Sequence, residues 1–253
     1  MGQQGRNLAG TSQKGLLLLT PLRQEWEALR DALQAQGYTG QREQIGRLPS
    51  LVYEGGRFWL ARGGHGKVQF ALHTQYLLDR LPAVGLVICA GAAGSLVDTL
   101  QAGDVVVATV TIEHDYTLRF ARRPLPRFPG YEPVLQALAQ EKAEGSFRLH
   151  LGPIASGDED IIDPGRAHQL HQETGALAVA WEGAGGARAC AFNHLPFLEI
   201  RGITDAADQA APRSFAETLT LAMTNVATII VSLLLCSRKT WPLETGQSEE
   251  TDP

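Results

Sequence analysis

The chain has 253 residues, a length that suits one large α/β domain as readily as two small ones. Its 44% hydrophobic and 19% charged residues are sufficient for a sizeable core, which argues against wholesale disorder. A net charge of −5 argues against binding that depends on neutralising nucleic-acid phosphates, so nucleic acid is not an expected partner.

Cysteine usage and hydropathy both indicate a cytoplasmic protein. Cys89, Cys190 and Cys236 are far apart in the sequence and form no C-x-x-C pair, a pattern typical of buried thiols in a reducing compartment. The polar segment before Gly15 lacks the apolar stretch of a secretory signal. The longest apolar run, at 226–236, is shorter than a membrane span and continues a helical pattern. We therefore expect no membrane contact.

The first predicted elements are a strand at Leu16 to Leu19 and a helix from Arg23 to Gln36, separated by Thr20-Pro21. Short apolar runs bounded by Gly, Pro or Asp predict further strands at 57–62, 85–89, 104–112, 147–154, 177–180 and 197–203. Helical patterns occupy the segments between several of them, at 68–81, 132–143, 164–174 and 183–193, and a last one covers 214–236. This alternation predicts an α/β fold with a mostly parallel sheet that helices cover on both faces.

The final helix carries the strongest start signal, because Ser214 and Glu217 have the spacing of a capping box. Phe215 begins an apolar stripe along this helix that should close the core. No linker divides residues 15–236, so they are predicted to form one domain. Residues 1–14 and 237–253 are polar and are expected to be flexible tails.

Two glycine-rich segments lie where an α/β sheet binds ligands, beyond the carboxyl ends of strands. AGAAGSL at 90–96 follows a strand, and its small residues would let backbone N–H groups approach a ligand. GGHGK at 63–67 opens a helix and would present N–H groups to an anion or a sugar hydroxyl. Neither matches a dinucleotide or phosphate-loop fingerprint, so each is also explained by an ordinary tight turn.

Acidic residues follow three of the predicted strands. Glu182 begins a helix and Asp205 follows a buried strand, where partial desolvation would raise its pKa and suit it to donate a proton. Glu182 can equally be a helix-capping acid, and either Asp205 or Asp208 can cap a turn. Glu25 lies just beyond the first strand, but its spacing alone does not distinguish it from its neighbours. Glycosidic cleavage commonly uses two carboxylates in different environments, and Glu25 with Asp205 would meet that need.

In order and spacing, these motifs resemble the methylthioadenosine/S-adenosylhomocysteine nucleosidases and the wider purine nucleoside phosphorylase superfamily. The resemblance covers nearly all of Gly15 to Cys236. The motifs that carry it are LLLLTPLRQEWEAL, GGHGKV, VICAGAAGSLVDTLQAGDVVV followed by EHDY, SGDEDI, AVAWEGAG, and PFLEIRGITDAADQ with SFAETL.

The resemblance implies a three-layer αβα fold around a mixed, partly barrel-like sheet, and cleavage of the N-glycosidic bond of a purine nucleoside. It casts Asp205 as the acid that protonates the purine nitrogen N7, with Thr204 beside it. Glu182 would bind the ribose hydroxyls, where a carboxylate also favours developing positive charge. Glu25 would activate the attacking water, which Arg201 helps to hold.

The same resemblance assigns the rest of the pocket. Ala92 and Gly94 would line the ribose and the site of the nucleophile, and main-chain groups at Ile161 would contact the purine edge. No metal or redox cofactor is expected, since no His/Cys/Asp cluster has metal-ligand spacing.

The chain departs from the family pattern at several positions that shape the pocket. Ala180 and Trp181 replace the first two residues of a Glu-Met-Glu motif, Asp160 replaces an aromatic residue that stacks on the base, and Ala92 replaces a serine. Asp160 can accept a hydrogen bond from an exocyclic amine or face solvent. The candidate substrates therefore include 5'-methylthioadenosine, S-adenosylhomocysteine, futalosine and adenosyl-linked lipids.

Three further questions stay open at the level of sequence. Hydrolysis is favoured over phosphorolysis, because phosphorylases place an arginine before the glycine loop where this chain has VICAG, although Arg201, His65 and Lys67 could together form an anion site. A non-catalytic nucleoside-binding or storage protein is the rival from another class. Family members are usually homodimers or larger, and the segment 120–133 is either a loop that closes a neighbour's pocket or an ordinary surface connection.

Overall fold

The computed structural model describes residues 14–121, 123–140 and 147–240. The described part contains one mixed sheet and six helices. The strands are β1 Gly15–Thr20, β2 Gln41–Ile45, β3 Leu48–Tyr53, β4 Phe58–Arg62, β5 Val84–Ser95, β6 Val105–Glu113, β7 Arg127–Pro129, β8 Leu149–Ser156, β9 Ala178–Ala180 and β10 Phe197–Asp205. The helices are α1 Arg23–Ala35, α2 Lys67–Leu78, α3 Glu132–Gln140, α4 Pro164–Thr174, α5 Gly183–Phe192 and α6 Ala211–Thr240.

Five of the strands close into a barrel. β10 pairs in parallel with β5 on one side and antiparallel with β6 on the other, and the ring continues through β8 and β9 back to β5. Four of the remaining strands, β1, β4, β3 and β2, extend the sheet outward from β5, and the short strand β7 pairs with β6. The predicted mixed, partly barrel-like α/β fold is therefore confirmed, whereas the expectation of a mostly parallel sheet underestimated its antiparallel pairings.

Helices cover the sheet on both faces and bury two main apolar clusters. On one face α1 and α6 pack on each other and on the strands, around Leu29, Phe58 and Met223. On the other face α2 packs on α5, with Phe70 and Phe197 in the shared core. Cys89 and Cys190 are buried free thiols, as predicted. The side chain of Cys236 lies outside the described residues.

Helix α6 is longer than its sequence pattern indicates. Its part Ala211–Leu235 is long and apolar enough to cross a membrane by length and composition, yet 56% of its most apolar window is buried inside the protein. It packs on β10, β5 and α1, so the structure uses it as a core helix. The predicted capping box is wrong, because the helix begins before Ser214. Instead, the Asp208 side chain accepts a hydrogen bond from Ala210 N at 2.8 Å in the turn that leads into the helix.

Other differences from the sequence pattern have local causes. Strands β2 and β3 were not predicted, because β2 is polar at four of its five positions and Pro49 and Ser50 interrupt the apolar pattern of β3. The two strands form a hairpin through a turn at Gly46, whose φ is 59°. The short strand β7 within the segment 120–133 was also missed. Part of the predicted helix at 132–143 falls at 141–143, outside the described residues. So do the predicted tails, apart from Lys14 and the helical residues 237–240.

Candidate active site

The carboxyl ends of β5 and β10 meet at a cavity of about 380 Å³. Every site residue predicted from the sequence lines this cavity, and the set is Glu25, Ala92, Gly94, Asp160, Ile161, Trp181, Glu182, Arg201, Thr204 and Asp205. The fold thus brings together residues that are separated by up to 180 positions in the chain. The arrangement argues for one ligand site.

Glu25 lies in the first turn of α1, where its carboxylate is almost completely buried. One oxygen accepts a hydrogen bond from Leu22 N at 2.7 Å, and the other accepts one from Ala92 N at 2.8 Å. Burial raises the pKa of Glu25 to about 7, and the charge of Glu182 adds to this effect. A carboxylate with such a pKa can exchange a proton near neutral pH.

Arg201 is the buried cation of the site. Its Nε donates to Glu199 at 2.8 Å, and its Nη2 lies 3.3 Å from Glu182. Its Nη1 donates to Ala92 O at 3.3 Å, so the peptide groups at Ala92 contact both Arg201 and Glu25. Two carboxylates compensate the charge of this buried guanidinium, which fixes its orientation.

Glu199 was missed by the sequence analysis, although a charged residue inside the apolar stretch FLEIRGI is a signal that could have found it. It is fully buried and also accepts a hydrogen bond from Thr111 Oγ1 at 2.6 Å. Its place requires glycine at position 183, since a Cβ there would lie 2.0 Å from Glu199 Oε2. Glu199 holds Arg201 from behind the cavity.

Glu182 precedes α5, but its side chain makes no capping hydrogen bond to that helix. Instead its Oε1 accepts from Gly66 N at 3.2 Å and lies 3.3 Å from His65 Nδ1, while Oε2 faces Arg201. Burial opposes ionisation of Glu182, but the hydrogen bond from His65 and the charge of Arg201 outweigh it and lower its pKa. The alternative of a helix-capping acid is therefore wrong, and Glu182 is held as an anion in the cavity.

Asp205 is the last residue of β10 and is partly buried. Thr204 Oγ1 donates to one of its oxygens at 2.7 Å, and Ala207 N donates to the other at 3.0 Å. Burial raises the pKa of Asp205, and these hydrogen bonds offset only part of that rise. A carboxyl group in this environment retains its proton at higher pH than an exposed one and is suited to act as an acid.

The segment 90–94, predicted as a loop, is the end of strand β5, and its glycines create the space for the catalytic candidates. A Cβ at Gly91 would lie 2.7 Å from both Glu25 Oε1 and Arg201 Nη1. A Cβ at Gly94 would lie 2.8 Å from Asp205 Oδ1. Small residues are therefore needed here so that side chains, rather than backbone N–H groups, can approach the ligand.

The GGHGK segment does not form the anion site that its sequence allowed. The N–H of Gly66 bonds Glu182, and the N–H of Lys67 bonds Asp158 at 2.9 Å. The Lys67 side chain pairs with Glu113 at 3.0 Å and with Asp115, and it does not line the cavity. Only His65 from this segment reaches the site, where its ring stacks on Trp181 with centroids 4.3 Å apart.

The outer wall of the cavity is more apolar. Ile161 is buried, whereas Asp160 is exposed at the edge of the cavity. Phe215, expected only in the core stripe of α6, also lines the cavity together with Pro212. These residues provide an apolar surface of the kind that accommodates a planar ligand.

Comparison with known proteins places this fold and site in a family. The model of the phosphorylase superfamily matches residues 16–235, and the chain belongs to this superfamily. It is 32% identical to the 5'-methylthioadenosine/S-adenosylhomocysteine nucleosidase of Tolumonas auensis, over 76% of this chain and 92% of that protein. It is 33% identical to the nucleosidase of the same name from Bacillus thuringiensis, over 69% of this chain and 79% of that protein.

Solved structures agree with this placement. A mutant of the Helicobacter pylori nucleosidase, with 5'-methylthioadenosine in its active site, has a TM-score of 0.78 at 27% identity and covers 87% of this chain and 98% of its own. The futalosine hydrolase of H. pylori has a TM-score of 0.77 at 27% identity, over 87% of this chain and 97% of its own. Within the superfamily the chain is thus a nucleosidase-like member. The predicted class of enzyme, a purine nucleosidase that hydrolyses an N-glycosidic bond, is confirmed.

Proposed function

We propose that the chain hydrolyses the N-glycosidic bond of an adenosine-type nucleoside, with 5'-methylthioadenosine and S-adenosylhomocysteine as the first substrates to test. The observation that carries this proposal is the meeting of Glu25, Glu182 and Asp205 in one cavity, each carboxyl group in a different environment. Different environments allow one acid to donate a proton, one to accept a proton and one to remain charged.

Asp205 is the proposed proton donor. Its proton passes to N7 of the purine as the bond between the base and C1' of the ribose breaks, so that the base leaves without a negative charge. The raised pKa of the partly buried carboxyl supports this role. Thr204 and the Ala207 N–H keep the carboxyl group in place.

Glu25 and Arg201 are proposed to hold the attacking water. As the water oxygen bonds to C1', Glu25 takes one of its protons, and its pKa of about 7 keeps a substantial share of the group ionised at neutral pH. The buried anion Glu182 binds the ribose hydroxyls and stabilises the positive charge that develops on the ribose. The products are the free base and the free sugar.

Charge supports water rather than phosphate as the nucleophile. In the described part of the chain, the basic side chains that line the cavity are Arg201 and His65, and both contact Glu182. A phosphate dianion beside Arg201 would lie close to Glu25 and Glu182, whose charges would repel it in a poorly solvated site. A neutral water molecule is not repelled by these carboxylates.

The reaction can be tested by incubating the protein with 5'-methylthioadenosine, S-adenosylhomocysteine, adenosine, inosine and futalosine in phosphate-free buffer. Free base should appear from at least one adenosine-type member. Release that requires phosphate would select a phosphorylase. A nucleoside that binds tightly and stays intact for hours would select the binding or storage protein.

We also propose that the protein forms a homodimer. Val68 and Leu72 lie one turn apart on α2 and are 72% and 64% exposed, and Phe192 at the end of the adjacent α5 is 78% exposed. Arg188 of α5 lies 5.5 Å from the ring of Tyr116, which adds the half-exposed segment after β6 to this surface. Exposed apolar side chains on two helices that pack on each other support self-association.

A cytoplasmic location is also proposed. It is supported by the buried, unpaired thiols of Cys89 and Cys190, which suit a reducing compartment. Fractionation of cells that express the protein would test it.

A further inference from the structure

His65 contacts two residues of the site from a segment that the reaction scheme does not use. It lies between β4 and α2, its ring stacks on Trp181 at an interplanar angle of 25°, and its Nδ1 lies 3.3 Å from Glu182 Oε1. Its backbone is held as well, because His65 N donates to Gln69 Oε1 at 3.0 Å. The imidazole therefore has a defined position at the cavity wall.

The Glu182 carboxylate is held from both sides. Arg201 approaches Oε2, whereas His65 and the N–H of Gly66 approach Oε1. Gly66 adopts a φ of 79°, a conformation that glycine reaches without strain and that brings its N–H toward Glu182. Removal of the imidazole would leave Oε1 with the Gly66 N–H as its one donor among the described residues and would hold the carboxylate less firmly in its orientation.

We propose that His65 is a positioning residue that holds Glu182 in the orientation and charge state needed to bind the ribose hydroxyls. The inference rests on the proposed function, since it takes the ribose hydroxyls as the ligands of Glu182. His65 itself needs no contact with the reacting atoms. It acts through Glu182, while Trp181 supports its ring.

The electrostatic surroundings favour a charged imidazole. The acidic groups that face His65 are Glu182 before α5, Glu25 on α1 and Asp160 in the segment after β8. The hydrogen bond to Glu182 raises the pKa of His65, and burial opposes this only in part. The face of the Trp181 indole also attracts a cation. Because the pKa of His65 is raised, the imidazole is protonated and paired with Glu182 below that pKa, and the ion pair is lost as pH rises through it.

The first test compares ribonucleosides with deoxynucleosides. His65→Phe keeps a ring on Trp181 but removes the donor, and His65→Gln keeps a donor but removes the charge. With an adenosine-type substrate, His65→Phe should lower kcat/KM at least about tenfold, and His65→Gln should lower it less. With at least one of the 2'-deoxy and 3'-deoxy analogues, His65→Phe should lower kcat/KM only about threefold or less, because a hydroxyl that Glu182 would bind is missing from that analogue.

His73 provides a matched control, because it is a histidine on α2 that does not line the cavity. His73→Phe should leave the rates with all three substrates within about twofold. An equal loss for the ribonucleoside and both deoxynucleosides in His65→Phe would assign His65 a purely structural role and overturn the proposal. Wild-type rates in His65→Phe would overturn it as well, because the stack alone would then suffice.

The second test does not depend on activity. A protonated imidazole in contact with an indole quenches its fluorescence, so Trp181 emission should rise as His65 loses its proton. The chain has 4 tryptophans, and the spectrum of Trp181→Phe isolates the Trp181 component. A transition centred above the ordinary histidine value of about 6.5, absent in His65→Phe, is expected. A transition centred below that value, or the absence of a transition, would refute the His65–Glu182 pairing even if no substrate is found. The expected transition in a protein that releases no base would count against the proposed function alone.

Discussion

The proton-accepting role of Glu25 predicts a loss of activity below neutral pH. Its pKa is raised to about 7 by burial and by the negative charge of Glu182. The ionised fraction is therefore about one half at pH 7 and about one tenth at pH 6, so kcat/KM should fall roughly fivefold between these values. Activity falls as pH decreases because protonation of Glu25 removes the group that accepts the proton from water.

The assay is base release from pH 3.5 to pH 8 with substrate well below KM, for the wild type and Glu25→Gln. The amide cannot accept a proton from water, so Glu25→Gln should lose at least about a hundredfold in kcat/KM and should lack the acid limb. It can accept only one of the two backbone hydrogen bonds that Glu25 receives, and a modest loss of stability of about 1–3 kcal/mol is expected as well.

Two results would refute this reasoning. An acid limb centred near 4.5, the ordinary value for a glutamate, would mean that the buried environment does not control the reacting group. A Glu25→Gln protein that is folded and retains most of the wild-type rate would show that Glu25 does not accept the proton.

Three further predictions concern Asp205, Gly94 and the exposed surface of α2. Asp205→Asn should lower kcat about 10²- to 10⁴-fold, while the nucleoside Kd, measured by calorimetry, changes only a few-fold. As a control, Asp208→Asn in the same turn should keep kcat within about threefold of the wild type. Equal losses of kcat in the two variants would contradict the role of Asp205 as the proton donor. Gly94→Ala would place a Cβ 2.8 Å from Asp205 Oδ1 and 3.2 Å from Ala207 Cβ, so Asp205 must shift and kcat should fall at least about tenfold. An unchanged kcat would show that activity does not depend on this position of Asp205. Leu72→Asp should shift the protein toward monomer in sedimentation experiments if the apolar surface of α2 is the dimer interface, and an unchanged oligomer would exclude that surface.

Much of the fold was accessible from the sequence, because buried strands and amphipathic helices have strong periodic patterns. The helix at 164–174 was predicted with its correct bounds, and its Asp163 cap and Gly175 end are both recognisable. Barrel closure was not accessible from pattern alone. It depends on β10 pairing with β5 and β6 at once, a long-range choice that a linear pattern does not contain.

The site shows the same division between local and long-range information. The sequence pointed to Asp205 and Glu182 through their position after strands, and the resemblance to a family separated Glu25 from its neighbours. The contact of His65 with Glu182 joins residues 117 positions apart, so no local pattern could reveal it. The glycines of β5 were noticed, but their purpose depends on side chains from α1 and β10 that meet them.

The most direct test of the central claim is base release from 5'-methylthioadenosine in phosphate-free buffer made with ¹⁸O-labelled water. The proposed hydrolysis predicts free adenine and a sugar that carries one ¹⁸O atom at C1 from the attacking water. Intact nucleoside after prolonged incubation would contradict cleavage of this substrate. Adenine that appears only with added phosphate, together with an unlabelled sugar 1-phosphate, would contradict hydrolysis itself.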